Sequence, residues 1–167
     1  MGLGAGIERA ARIWALLGGI LLLLIVFVTV LDIVLGGVFS RPLASSYEIV
    51  VMGIGVAVFT FLPYAQLRRA HIRVNLAARF MPQRLRRVWD GVIALAFAGF
   101  AGVLIWRMSL GGLDYYRYGE TTSILGIPLW WAFAPVLISL FLWAAASLLR
   151  VLQLAGLIPP QPEMPES

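Results

Sequence analysis

Along the chain, apolar positions gather into four runs, at about residues 13–35, 47–67, 88–110 and 127–149, while polar residues collect between them. A helix rises 1.5 Å per residue, so each run is long enough to cross a hydrocarbon core about 30 Å thick. The pattern predicts an all-α membrane protein with four transmembrane helices forming a single domain over residues 1–157. The first run also has the basic head of a signal peptide, but it outruns a typical signal core and no small-residue cleavage site closes it. It is expected to remain as an uncleaved first span.

The punctuation between runs sets the helix ends. Gly36-Gly37 and Arg41-Pro42 are expected to break the first helix. Ser45-Ser46-Tyr47-Glu48 has the Ser-x-x-Glu spacing of a capping box, in which serine and glutamate each satisfy a free backbone donor, so the second helix is expected to begin there. Between the second and third runs, Ile72, Leu76 and Phe80 recur at four-residue steps beside His71, Asn75 and Arg79. That periodicity predicts a short amphipathic helix lying in the headgroup plane, with the Arg73 guanidinium lifted to the interface. Pro82 suits the first turn of the third helix, and Pro135 falls inside the fourth. Trp14, Trp89, Trp106, Trp130 and Trp131 lie near span ends, where an amphipathic indole is favoured. The tail at 158–167, with Pro159, Pro160, Pro162, Pro165, Glu163 and Glu166, is expected to be disordered.

Composition removes the soluble alternative. Hydrophobic residues make up 61% of the chain and charged residues only 13%, with a mean hydropathy of +0.92, which a water-soluble domain does not tolerate. Four spans nearly consume the 167 residues, leaving no room for a second folded domain. Cysteine is absent, which excludes disulfides, thiolate nucleophiles and iron–sulfur ligation, and one histidine, His71, cannot make a bis-histidine haem site. No cofactor is expected.

Charge then orients the chain. All thirteen basic side chains are arginine. Arg9 and Arg12 lie in the head, Arg68, Arg69, Arg73, Arg79, Arg84, Arg86 and Arg87 around the second connection, and Arg150 after the last span. Only Arg41, Arg107 and Arg117 belong to the other side. Basic loops stay in the cytoplasm, so both termini and the second connection are expected there. A pI near 10.4 would suggest nucleic acid in a soluble protein, but here the charge sits between spans and no nucleic-acid partner is expected.

Few residues carry candidate chemistry. There is no nucleophile with a base, no paired carboxylates, no metal-ligand cluster and no phosphate-binding Gly-x-x-x-x-Gly-Lys-Ser/Thr loop, so catalytic and metal sites are both read as none and the chain is not expected to be an enzyme. The span middles are apolar and lack the broken helices of a self-sufficient carrier. Asp32 and Arg107 lie toward the outer ends of the first and third spans, and Glu48 at the outer end of the second. Together they make a possible outer charge cluster, with an Asp32–Arg107 pair or a helix end reaching the interface as the two readings of Asp32. Glu48 is read either as an ordinary cap or as a contact with another subunit. Arg68, Arg69, His71 and Arg73 are candidates for a subunit interface or for anionic phospholipid headgroups. Gly91, Gly99 and Gly102, with Ala94, Ala98 and Ala101, are expected to permit close helix approach.

Two segments carry a resemblance. Glu48-Ile49-Val50-Val51-Met52 followed by Phe61-Leu62-Pro63-Tyr64-Ala65-Gln66-Leu67-Arg68-Arg69-Ala70-His71-Ile72-Arg73-Val74-Asn75-Leu76, and then Thr121-Thr122-Ser123-Ile124-Leu125-Gly126-Ile127-Pro128-Leu129-Trp130, resemble the small membrane subunit of tripartite ATP-independent periplasmic transporters, the DctQ-like family. Asn75 stands where that family commonly has aspartate. The resemblance implies a multi-pass protein of a bacterial or archaeal inner membrane. Its partners would be a large transmembrane transporter subunit, which carries the substrate and sodium sites, and a periplasmic substrate-binding protein that delivers an organic anion, often a carboxylate. The small subunit would act as a fixed scaffold. A small proton-coupled exporter and a membrane anchor for another complex remain as alternative functions.

Overall fold

In lipid, a backbone amide has no water to turn to, so an apolar chain closes its hydrogen bonds within helices. The computed structural model describes residues 3–39, 46–69 and 83–154, and these form helices α1 (Leu3–Phe39), α2 (Ser46–Arg69), α3 (Gln83–Tyr118) and α4 (Trp130–Leu154). Each contains a stretch long and apolar enough to span a membrane, and the described residues contain no strand. The in-plane helix expected around residues 71–81 and the tail at 158–167 lie outside the described residues.

Several helix ends differ from the sequence expectation. α1 begins ten residues before the first apolar run and passes through Gly36-Gly37 to Phe39, making 37 residues. Glycine weakens a helix chiefly by exposing its backbone to water and by its entropy, and a span end in lipid removes the first of these costs. α3 runs to Tyr118, eight residues past the expected boundary, because Gly111-Gly112 are packed against the Phe133 ring rather than opened as a turn. α4 starts at Trp130 instead of near Ile127, since Pro128 is paired with Thr121 in an isolated β-bridge. Trp131 N and Ala132 N then donate to Pro128 O and Leu129 O, a three-residue spacing that starts the helix with a tightened turn.

α4 is the most buried of the four helices and sits at the centre. It packs against α3, α2 and α1, while α1 also packs along α2; α2 and α3 do not make an extensive contact with each other. The α3–α4 seam is filled by Ala101, Val136, Leu140 and Trp143, with Phe97 and Phe100 both set about 6 Å from the Trp143 ring in tilted and edge-on geometries. Toward the α3–α4 connection the seam continues as Tyr115 on Phe133 and Tyr116 on Trp130.

The α1–α2 seam uses small residues instead. On α1 the buried positions Ala11, Ala15, Gly18 and Ile25 follow four- and three-residue steps, the stripe of a coiled-coil seam. α2 answers with Gly53, Ala57 and Thr60 at the same steps. A Cβ at Gly18 would overlap the Thr60 side chain, and one at Gly53 would strike Ile25, so both glycines are there for close approach. The glycines expected to serve this purpose, Gly91, Gly99 and Gly102 on α3, have open space where their Cβ atoms would be, although Ala94 and Ala101 on that helix are buried.

Trp14 has a partner that its place near a span end does not announce. Its Nε1 donates to Ser139 Oγ at 2.8 Å, and the Ser139 hydroxyl donates to Pro135 O at 2.8 Å. Ser139 is fully buried nine residues into α4. The indole is therefore a polar tie between α1 and α4.

A branched side chain at Gly18 should force α1 from α2. Gly18→Val is expected to cost about 1–3 kcal/mol by overpacking and to lower the melting temperature of the purified chain in detergent. Gly19→Val, whose Cβ meets nothing within 4 Å, should leave it nearly unchanged.

Candidate functional site

Two acidic residues of the spans, Asp32 and Glu48, meet at one end of the bundle, where α1 leads to α2 and α3 leads to α4. The N-terminus of α2 is the hub. Ser46, its first residue, is buried, and its hydroxyl donates to Asp32 Oδ2 on α1 at 2.6 Å. Two residues on, Glu48 turns to the other side. Ile124 N donates to Glu48 Oε1 at 2.8 Å and Leu125 N to Glu48 Oε2 at 2.9 Å. The start of α2 is thus bonded to the end of α1 and to the α3–α4 connection at once.

That connection is shaped to offer its amides. α3 ends with Gly119 in the left-handed region, φ 63°, and Glu120 N donates back to Tyr115 O at 3.3 Å, the six-residue closure of a Schellman ending. A second left-handed glycine, Gly126 at φ 66°, lets its own N–H reach Thr122 O at 3.1 Å. Thr122 N donates to Ile127 O, and the Thr122 hydroxyl accepts from Ile127 N, so both strands of the turn are tied. The amides of Ile124 and Leu125, at the tip of this turn, point outward. Two parallel N–H groups fit the two oxygens of one carboxylate, and a charged acceptor makes such bonds shorter and stronger than a neutral one.

Both Glu48 oxygens are engaged with this turn, while Ser45, the other half of the expected capping box, lies outside the described residues. The carboxylate still lies in the first turn of α2, where the helix dipole favours it. Sequence reasoning missed Ser46 and the Ile124 and Leu125 amides as partners. The Thr121–Pro128 segment was recognisable by its letters, but a backbone donor has no sequence signature of its own.

Arg107 is not part of this hub. Its side chain is exposed on α3, and among the described residues no ion pair or hydrogen bond joins it to Asp32 or Glu48. Arg68 and Arg69 are the last two residues of α2. His71 and Arg73 lie outside the described residues. No three histidine or carboxylate side chains among the described residues come together as metal ligands. A second feature is an apolar groove between α2 and α3, floored by α4. Val51, Met52, Gly55, Val56 and Phe59 line one wall, Met108 the other, and Ala132, Phe133 and Val136 the floor.

Four packed helices, each long and apolar enough to cross a membrane, define the chain as a polytopic membrane protein. Residues 8–156 match the model of the DctQ component of tripartite ATP-independent periplasmic transporters. The chain belongs to that family. It is a component of a transporter family rather than of an enzyme family, a multi-pass protein of the inner membrane, and membership implies a large membrane subunit and a periplasmic binding protein as its partners. No curated protein and no solved structure matches it.

Removing the Glu48 carboxylate should release the turn without unfolding the bundle. In Glu48→Ala, hydrogen–deuterium exchange is expected to quicken over residues 120–128 while the α4 core around Leu140 stays protected. Unchanged exchange in the turn would show that Glu48 does not hold it.

Proposed function

We propose that this chain is the scaffold of a sodium-coupled, binding-protein-dependent transporter for an organic anion, and that it holds the large transporting subunit in place without binding the substrate itself. The observation that carries this reading is the contrast between ends and middle. Asp32 and Glu48 are bonded within the chain at one end, and among the described residues no carboxylates gather in the span middles as ligands for an ion. Sodium coupling and the anionic substrate class follow from the family's division of labour and belong to the large subunit. Arg68, Arg69, His71 and Arg73 contact anionic phospholipid headgroups and the cytoplasmic edge of the large subunit, where clustered arginines are favoured. Both termini and the α2–α3 connection are cytoplasmic, which puts the Asp32–Ser46–Glu48 hub on the periplasmic side.

Vesicles reconstituted with this chain alone should take up no organic acid under a sodium gradient, and uptake should appear when the large subunit and binding protein are added. Uptake by the chain alone would end the scaffold reading. Reporters fused to the head, to the α2–α3 connection and after residue 154 should all signal cytoplasm; a periplasmic signal from the connection would reverse the orientation.

A further inference from the structure

Arg107 poses a problem that the rest of the chain does not solve. It lies eleven residues before the end of α3 at Tyr118, about 16 Å along the axis at 1.5 Å per residue. Its neighbour Met108 packs on the buried cluster of Ala101, Val136 and Leu140. A guanidinium inside an apolar span normally faces the bundle interior or a partner charge. Arg107 is exposed, and among the described residues it has neither a hydrogen bond nor an ion pair. Asp32 and Glu48 are bonded elsewhere, and Asp114, two turns along α3, does not reach it.

The surface beside Arg107 is the groove. Phe100, Leu104, Arg107 and Gly111 fall on one stripe of α3 by four- and three-residue steps. Leu104 packs on the core cluster, Gly111 meets Phe133 of the groove floor, and Met108, the neighbour of Arg107, lines the α3 wall, which sets this stripe beside the groove. Across from it, Gly55 on α2 is exposed and has nothing within 4 Å of where a Cβ would stand. The groove, about 200 Å³, falls below the roughly 300–1,000 Å³ of small-molecule sites, and it suits the side chains of a helix laid along it.

Resting on the scaffold reading above, we propose that the groove between α2 and α3 seats a transmembrane helix of the large subunit, and that this helix brings a carboxylate to Arg107. A membrane-embedded partner supplies both the apolar surface the groove needs and an acid at a depth where a free guanidinium is unfavourable. Close approach is permitted at Gly55 in the manner of small-residue helix contacts.

The test uses the chain co-expressed with its large subunit and purified through a tag on this chain. Gly55→Leu occupies the groove from a position where an added Cβ meets nothing within 4 Å, so the melting temperature of the isolated chain should hold while recovery of the large subunit falls several-fold. Arg107→Gln should lower recovery roughly ten-fold, as loss of one partner of a desolvated charge pair does, and Arg107→Lys should restore part of it. Gly19→Leu and Gly99→Leu, at open positions on other faces, should leave recovery intact. A photo-crosslinker at Val51 should capture the large subunit. Capture of phospholipid alone, or full recovery with both Gly55→Leu and Arg107→Gln, would overturn the proposal, as would selective loss with Gly19→Leu or Gly99→Leu. Failure of the unaltered chain to retain the large subunit would instead overturn the scaffold reading on which it rests.

Discussion

Hydrocarbon accepts no hydrogen bonds, and that constraint governs both the helices and the places where they stop. Inside the spans the demand is met by the helices themselves. Where α3 gives way to α4 the chain has to leave the helix, and it does so through a connection whose backbone groups are paired with one another: Glu120 N to Tyr115 O, Thr122 N to Ile127 O, Leu129 N to Glu120 O. Two amides at the tip, of Ile124 and Leu125, are served from another helix by the Glu48 carboxylate. The polar hub is the completion of the backbone's own bonding at the end of the bundle.

Packing follows a different rule, since lipid tails are as apolar as the side chains and give helices little reason to associate by hydrophobicity alone. Close fit and a few hydrogen bonds have to do it. α3 and α4 fit through rings, with Trp143 between Phe97 and Phe100 and Phe133 between Tyr115 and Gly112. α1 and α2 fit through the absence of side chains at Gly18 and Gly53. Trp14 to Ser139 adds a polar link from α1 to the central helix, and the Ser139 hydroxyl passes on to the Pro135 carbonyl. Because α4 serves as the common neighbour, α2 and α3 are left apart, and the groove is the geometric result.

For a DctQ component, this arrangement divides the molecule by chemistry. Asp32 and Glu48 are tied down by internal bonds at one end, the buried polar side chains within the spans are hydroxyls rather than charges, and most of α1 is covered with exposed leucine, isoleucine, valine and phenylalanine suited to lipid. Against that background Arg107 stands out by its depth, eleven residues inside the end of α3.

How much of this was legible in the sequence depends on whether a feature is local. The four spans and the all-α class were determined by runs of apolar residues, because membrane thickness fixes the length a helix needs. Family membership was legible in the letters around Glu48 and Thr121, although neither segment disclosed that one binds the other. What only the tertiary structure decided was pairing. Glu48 reads as a cap by its spacing, Gly99 reads as a contact and Trp14 reads as an interface anchor, since each pattern is judged against its own helix. The actual partners, the Ile124 and Leu125 amides for Glu48, Thr60 for Gly18 and Ser139 for Trp14, lie up to 125 residues away along the chain. Helix faces are chosen by which neighbour arrives, and an amphipathic period is nearly silent in a chain whose lipid-facing and buried surfaces are both apolar.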